Sequence, residues 1–149
     1  MRMSTLTAAL LRQQLALLQA RAQRWNELYG VLERELSRVS RLRVPPRHEQ
    51  EQYVASSIQF YPDLPATAIA AFIAACGARG LFIKWFGEME ARGFTSRHEH
   101  WEYVEPASVP RSDTLLRQLC DMRIPLALEK EECTVIGAIM RLAMGEATS

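Results

Sequence analysis

Between Thr5 and Arg41 the apolar positions Leu11, Leu15, Leu18, Ala22, Trp25, Tyr29, Leu32, Leu36 and Val39 recur at alternating steps of four and three. That spacing keeps a single stripe on one side of an α-helix, and Ser4 stands where an N-cap is wanted. At a rise of 1.5 Å per residue the helix would be about 55 Å long, more than a small domain needs for its own core. Part of it is therefore expected to lean on another body. Gly30 costs about 1 kcal/mol relative to alanine in mid-helix and marks a bend or break.

After Pro45 and Pro46 the period changes to two. Val54, Ser56, Ile58 and Phe60 alternate with Ala55, Ser57, Gln59 and Tyr61, which predicts a strand from Tyr53 to Tyr61. Pro65 suits a helix start, Ile69, Phe72, Ile73 and Cys76 supply an apolar face, and Gly77 and Gly80 supply a stop. The run Leu81 to Phe86, bounded by Gly87, predicts a second strand. From Gly87 to Ser112 the pattern is mixed, with Gly93, Pro106 and Pro110 as punctuation, and reads as a long connection with an extended piece from His100 to Val104. Ser112 or Asp113 then caps a short helix through Cys120, and Arg123 to Leu128 is a proline-interrupted extended segment. A final helix has Cys133, Ile136, Met140 and Ala143 inward and Gly145 as its stop. The fold class is α+β: a small antiparallel or mixed sheet covered by helices and preceded by a long N-terminal helix. Residues 1–44 form the long connecting helix and residues 45–149 the small domain, together one domain.

Composition narrows the function classes. The 149 residues carry 18 Lys plus Arg against 17 Asp plus Glu, a formal net charge of +1, so no global field points to nucleic acid or an anionic membrane. The early apolar stretch is interrupted by Arg12 and lacks a cleavage pattern, so neither a signal peptide nor a membrane span is read and a cytoplasmic location is expected. Cys76, Cys120 and Cys133 are odd in number, far apart and set in apolar helical patterns, which points to buried free thiols rather than disulfides, zinc ligands or nucleophiles. His98 and His100, two apart, would face the same way in an extended segment, with Glu99, Glu102 and Glu105 as nearby carboxylates, but no third ligand stands at a diagnostic spacing, so no metal site is assigned. No glycine-rich phosphate loop is present. Only two lysines occur, Lys84 and Lys130.

The order of these elements carries a resemblance. The opening Arg2-Met3-Ser4-Thr5-Leu6-Thr7-Ala8-Ala9, the following leucine-rich helix with Gln14 and Leu15, and the stretch with Arg21, Arg24 and Tyr29 are similar to the connecting helix of DegT/StrS-type aminotransferases. The strand from Tyr53 to Tyr61, the helix ending Ala78-Arg79-Gly80, the strand beginning Leu81, and Arg123-Ile124-Pro125-Leu126 leading into a helix near Glu129 resemble that family's small domain in order. The resemblance covers nearly the whole chain and implies the C-terminal domain of a fold-type I, pyridoxal-phosphate-dependent aminotransferase, homodimeric when intact. In the family the Schiff-base lysine, the acidic partner of the pyridinium nitrogen and the phosphate cup lie upstream, in a large domain, as does an asparagine just before the arginine and methionine motif. A chain whose first domain is missing is therefore expected, with no catalytic residue of its own and with that domain, or a separate chain bearing it, as partner. The implied acceptor is a carbonyl compound, in many family members a keto-sugar. In family register Lys84, Trp85 and Phe86 are the residues that approach the substrate, where a histidine is often found and an aromatic pair stands here. The competing reading is a freestanding, non-catalytic interaction module that dimerises through its N-terminal helix.

Overall fold

The computed structural model describes residues 4–48, 50, 51, 53–90, 102, 103, 105 and 107–149. Ser4 caps α1 (Thr5–Leu15) as expected, its hydroxyl accepting from Thr7 N at 3.1 Å. The long helix is two. After α1 the chain makes a tight turn at Ala16 and Leu17, where Leu17 N donates to Gln14 O at 3.1 Å, and α2 (Leu18–Leu36) follows. Gly30, the expected bend, lies inside unbroken α2. No proline or glycine occupies 14–18, so the sequence held no signal for the break. Only the second half of the stripe is used internally: Leu28, Tyr29, Leu32, Leu36 and Val39 are buried, while Leu11, Leu15 and Leu18 are exposed.

β1 (Leu42–Arg43), β2 (Ser57–Pro62), β3 (Lys84–Trp85) and β4 (Cys120–Arg123) form one antiparallel sheet in the order β1-β2-β4-β3. The predicted strand–helix–strand unit is split, because β4 lies between β2 and β3, Phe60 pairing with Cys120 and Trp85 with the same Cys120 from the other side. β2 begins later than its alternation suggested, since the backbone from Tyr53 to Ala55 is engaged by the Asn26 side chain, Nδ2 donating to Tyr53 O at 2.7 Å and Oδ1 accepting from Ala55 N at 3.2 Å. β4 corrects two expectations. The helix expected through Cys120 is α4 (Pro110–Leu116), with Pro110 in its first turn, where a missing N–H costs nothing, and Ser112 and Asp113 already inside it. The strand expected over Arg123 to Leu128 occupies Cys120 to Arg123 instead. There Cys120, Met122 and Ile124 alternate inward with Asp121 and Arg123 outward, and Pro125 has no N–H to extend the ladder.

α3 (Ala66–Gly77) follows Pro65 and buries Ile69, Phe72 and Cys76. Its stop is at Gly80, where Leu81 N donates to Cys76 O and Gly80 N to Gly77 O, both at 3.0 Å, a closure that puts Gly80 at φ +79 where glycine is unstrained. α5 (Lys130–Ala147) opens with a capping box in which Glu129 N donates to Glu132 Oε2 at 2.8 Å, and it passes through Gly145 to end at Thr148. α2, α3 and α5 cover one face of the sheet, with Phe60, Phe72, Ile58, Ile69 and Met140 almost fully enclosed between them. Each such side chain contributes roughly 1.5–3 kcal/mol on burial.

α2 meets α5 at Gly137, where an added Cβ would lie 2.7 Å from Glu35 Cβ. Glu35 is itself buried, its carboxylate accepting from Arg38 Nη1 at 2.7 Å and from Arg141 Nη1 at 3.3 Å. Trp25 Nε1 and Arg24 tie α2 to the segment after β4, through Ile124 O at 2.9 Å and Glu129 Oε2 at 2.9 Å.

The three cysteines are free and buried as expected, but Cys120 sits on a strand and not on a helix face. Burial pushes the Cys76 thiol up to about 12 and raises those of Cys120 and Cys133. A raised folded pKa favours the protonated native state, so this contribution is complete below the ordinary value of 9.0 and is lost as the pH climbs through about 12. We expect a thiol-specific disulfide reagent at pH 8 to leave the native protein unlabelled and to modify Cys76, Cys120 and Cys133 once urea unfolds it. In urea titrations Gly137→Ala should lose about 1–3 kcal/mol through overpacking against Glu35. Gly30→Ala, whose new methyl meets only the Arg34 guanidinium at 3.7 Å, should gain up to about 1 kcal/mol.

Candidate functional site

Lys84, Trp85 and Phe86 lie at the β3 edge of the sheet. Lys84 stands opposite Asp121, Trp85 opposite Cys120, and Phe86 N donates to Leu119 O at 2.9 Å. Strand alternation puts Lys84 and Phe86 on the face that none of the described helices covers, the Lys84 ammonium 4.8 Å from the Phe86 ring centroid, and turns Trp85 to the covered face. The indole is fixed there by Nε1 donating to Arg117 O at 2.7 Å. Gly87 permits this, since a Cβ would fall 2.5 Å from Arg117 O and 2.7 Å from the Trp85 ring. The three residues are thus together in chain but divided in space, two on the open face and one beneath it. Phe82 and Met89 project beside them, 83% and 75% exposed.

The open face is lined by Ser57, Gln59 and Tyr61 of β2, Asp121 and Arg123 of β4, and Arg43 of β1, all outside the core. Two clefts border it. One, of about 250 Å³, runs between α2 and β2 and is walled by Pro45, Pro46, Tyr29, Tyr53 and Arg47. The Arg47 guanidinium lies 4.1 Å from the Tyr29 ring centroid and 5.1 Å from that of Tyr53, and it binds the Glu33 carboxylate through Nη2 at 2.7 Å and Nε at 3.3 Å. That hydrogen bond holds the Arg47 pKa above its usual value, and burial raises that of Tyr29. The other cleft, of about 330 Å³, lies at the β1 end between Arg41, Arg43, Tyr61, Asp63 and Gln118.

Neither cleft was found by pattern reasoning. The available signal was the basic run Arg38, Arg41, Arg43 and Arg47 between the end of the helical stripe and the first strand. His98, Glu99 and His100 lie outside the described residues, as does the Arg2-Met3 start of the opening motif; of the extended piece expected from His100 to Val104 only Glu102 and Tyr103 are described, and they form a turn. Among the described residues no group of His, Cys, Asp and Glu is placed to hold a metal ion, and no helix is long and apolar enough to cross a membrane.

The architecture is shared with known structures. The aminotransferase TlmJ from Streptoalloteichus hindustanus matches with a TM-score of 0.75 over 93% of this chain at 17% identity. A 3-amino-5-hydroxybenzoic acid synthase matches with a TM-score of 0.77 over 97% at 18% identity, and a DegT/DnrJ/EryC1/StrS aminotransferase from Brucella abortus with 0.71 over 97% at 16% identity. At these identities the likeness shows the fold, that of fold-type I aminotransferases. The chain spans 36%, 40% and 36% of those three chains, respectively. No curated protein matches it. The aminotransferase family described as DegT/DnrJ/EryC1/StrS matches residues 1–141, nearly the full sequence. By that match the chain belongs to the DegT/DnrJ/EryC1/StrS aminotransferase family.

Proposed function

We propose that this chain is the small, C-terminal domain of a pyridoxal-phosphate-dependent transaminase, working with a large domain that carries the Schiff-base lysine and inactive without it. The observation that carries this reading is α1. Every residue of that helix is exposed, with Leu6 at 73%, Leu10 at 60% and Leu15 at 65%, a leucine-rich arm that no part of the described chain covers. We take residues 1–44 as the connecting segment and 45–149 as the domain it carries, with α1 the free arm and the part from Leu28 onward packed into that domain. The intact enzyme on this reading is a cytoplasmic homodimer, a setting in which three free thiols persist.

The chain's own lysines do not fit the cofactor. When bound, pyridoxal phosphate supplies an aldehyde that needs a neutral amine to condense with it. Lys130 ion-pairs with Glu27 at 3.5 Å on the surface, and Lys84 lies over Phe86 with Asp121 opposite, so each amine is already engaged by side chains of this chain. No catalytic step is therefore assigned to this chain. Its contribution would be to cover the cofactor cleft, exclude water and shape the pocket for a carbonyl acceptor, with keto-sugars as the first class to try. Lys84 and Phe86 on the open face, with Trp85 anchoring the strand from beneath, would form the acceptor wall.

Incubation of the purified chain with pyridoxal phosphate, glutamate and a panel of keto compounds should yield no amino product. Addition of a large domain encoded upstream of the Met1 codon should yield it. Amination by the chain alone would refute the reading. In the reconstituted enzyme Phe86→Ala should raise the KM for the acceptor about tenfold while leaving the glutamate half-reaction unchanged. The exposed α1 leucines also favour a second reading, a freestanding module that self-associates through its N-terminal helix. A dimer in sedimentation that Leu10→Lys abolishes, coupled with no gain of activity from any large domain, would select it.

A further inference from the structure

The cleft at the β1 end of the sheet brings two arginines onto one wall. Among the described residues Arg24, Arg38, Arg47, Arg79 and Arg141 pair with carboxylates, while Arg12, Arg21, Arg34, Arg111, Arg117 and Arg123 form no ion pair. Arg41 and Arg43, both on the wall of this cleft, make no ion pair among the described residues. Asp63 also lines it and forms no salt bridge within it.

Two features fix the arginines in place. Arg43 is laid on Tyr61, its guanidinium carbon 4.6 Å from the ring centroid, and the two residues are cross-strand partners in the β1 and β2 pairing. A stacked guanidinium is held by its face and leaves its N–H edge free to donate. Arg41 has φ +58, the left-handed region that glycine or asparagine enters far more cheaply. Its carbonyl accepts from Asp63 N at 2.7 Å, which locks that backbone shape. The backbone cost at Arg41 sets the residue type with the most donors on the wall of a 330 Å³ cleft.

From this geometry we infer that the cleft between Arg41, Arg43, Tyr61 and Gln118 is a binding site for the phosphate group of a small, hydroxyl-bearing molecule. Two guanidinium edges and the Gln118 amide supply donors for the phosphate oxygens, and Asp63 on the rim accepts from a hydroxyl of the carbon skeleton. The cleft is several times larger than a phosphate group, which leaves room for that skeleton beside Tyr61. The inference rests on these residues alone and does not depend on the transaminase reading.

The test is calorimetric titration of the full chain with inorganic phosphate and with glycerol phosphate, alongside Arg41→Gly, Arg43→Gln and Gln23→Ala. Arg41→Gly relieves the backbone while removing the guanidinium, so it should unfold at the same or a higher temperature than the parent and bind about tenfold more weakly. Arg43→Gln should weaken binding similarly, and Gln23→Ala, on the exposed side of α2 and outside both clefts, should leave it unchanged. Glycerol phosphate should bind more tightly than inorganic phosphate. Unaltered affinity in Arg41→Gly and Arg43→Gln, or the absence of saturable binding by the parent, overturns the proposal. So does retention on anionic lipid vesicles without binding of either soluble phosphate.

Discussion

Among the described residues helices cover the sheet on one side only, and the rest of the molecule follows from that constraint. Ile58, Phe60 and Pro62 on β2 and Cys120 and Met122 on β4 turn toward α2, α3 and α5 and vanish from solvent. Strand alternation then forces Ser57, Gln59, Tyr61, Asp121 and Arg123 to the other side, where none of the described helices lies. The side chains available for recognition are those that the core does not use. Both clefts open along this polar face, and so do Lys84 and Phe86 at its far edge.

The covering layer is held by a contact that tolerates little change. α2 and α5 approach closely enough at Gly137 that the Glu35 side chain occupies the space a methyl would need. Bringing the helices together there buries a carboxylate, which Arg38 and Arg141 compensate from opposite sides. Neither arginine is deeply buried, so the cluster reaches water at its rim while its acidic centre stays within the fold.

Periodicity identified the elements that bury a full face. The inward residues of α3 and α5, the alternation of β2 and the cap at Ser4 were all legible because hydrophobic spacing or a short polar residue at a helix start determines them directly. The failures within the sheet have one physical origin. β1 and β3 are two residues each and β4 is four, too short for a period to be read, and they exist because neighbours supply their hydrogen bonds. The division of the long helix left no mark because no breaker residue stands at Ala16 or Leu17. The Lys84 to Phe86 segment was placed correctly at the end of an apolar run, yet the division of its side chains between two faces required knowing which strand it pairs with. Arg41 and Arg43 were invisible as a pair, since what joins them is a shared cleft wall, with Arg43 stacked on Tyr61 and Arg41 in a left-handed backbone.

β4 is clamped at both ends by indoles. Trp25 of α2 donates to Ile124 O just after it, and Trp85 of β3 donates to Arg117 O just before it. The first of these bonds joins residues 99 apart in sequence, and β2 pairs with β4 across a gap of about sixty residues. Such distant closures are entropically expensive and slow. During synthesis the sheet has no centre until the segment from Cys120 to Ile124 has left the ribosome, and until then Phe60 and Phe72 have only α2 and α3 to shelter them. The growing chain therefore passes through a stage with its largest apolar side chains half covered, when premature contact with other chains is most costly. The last thirty residues, by adding α5, end that exposure.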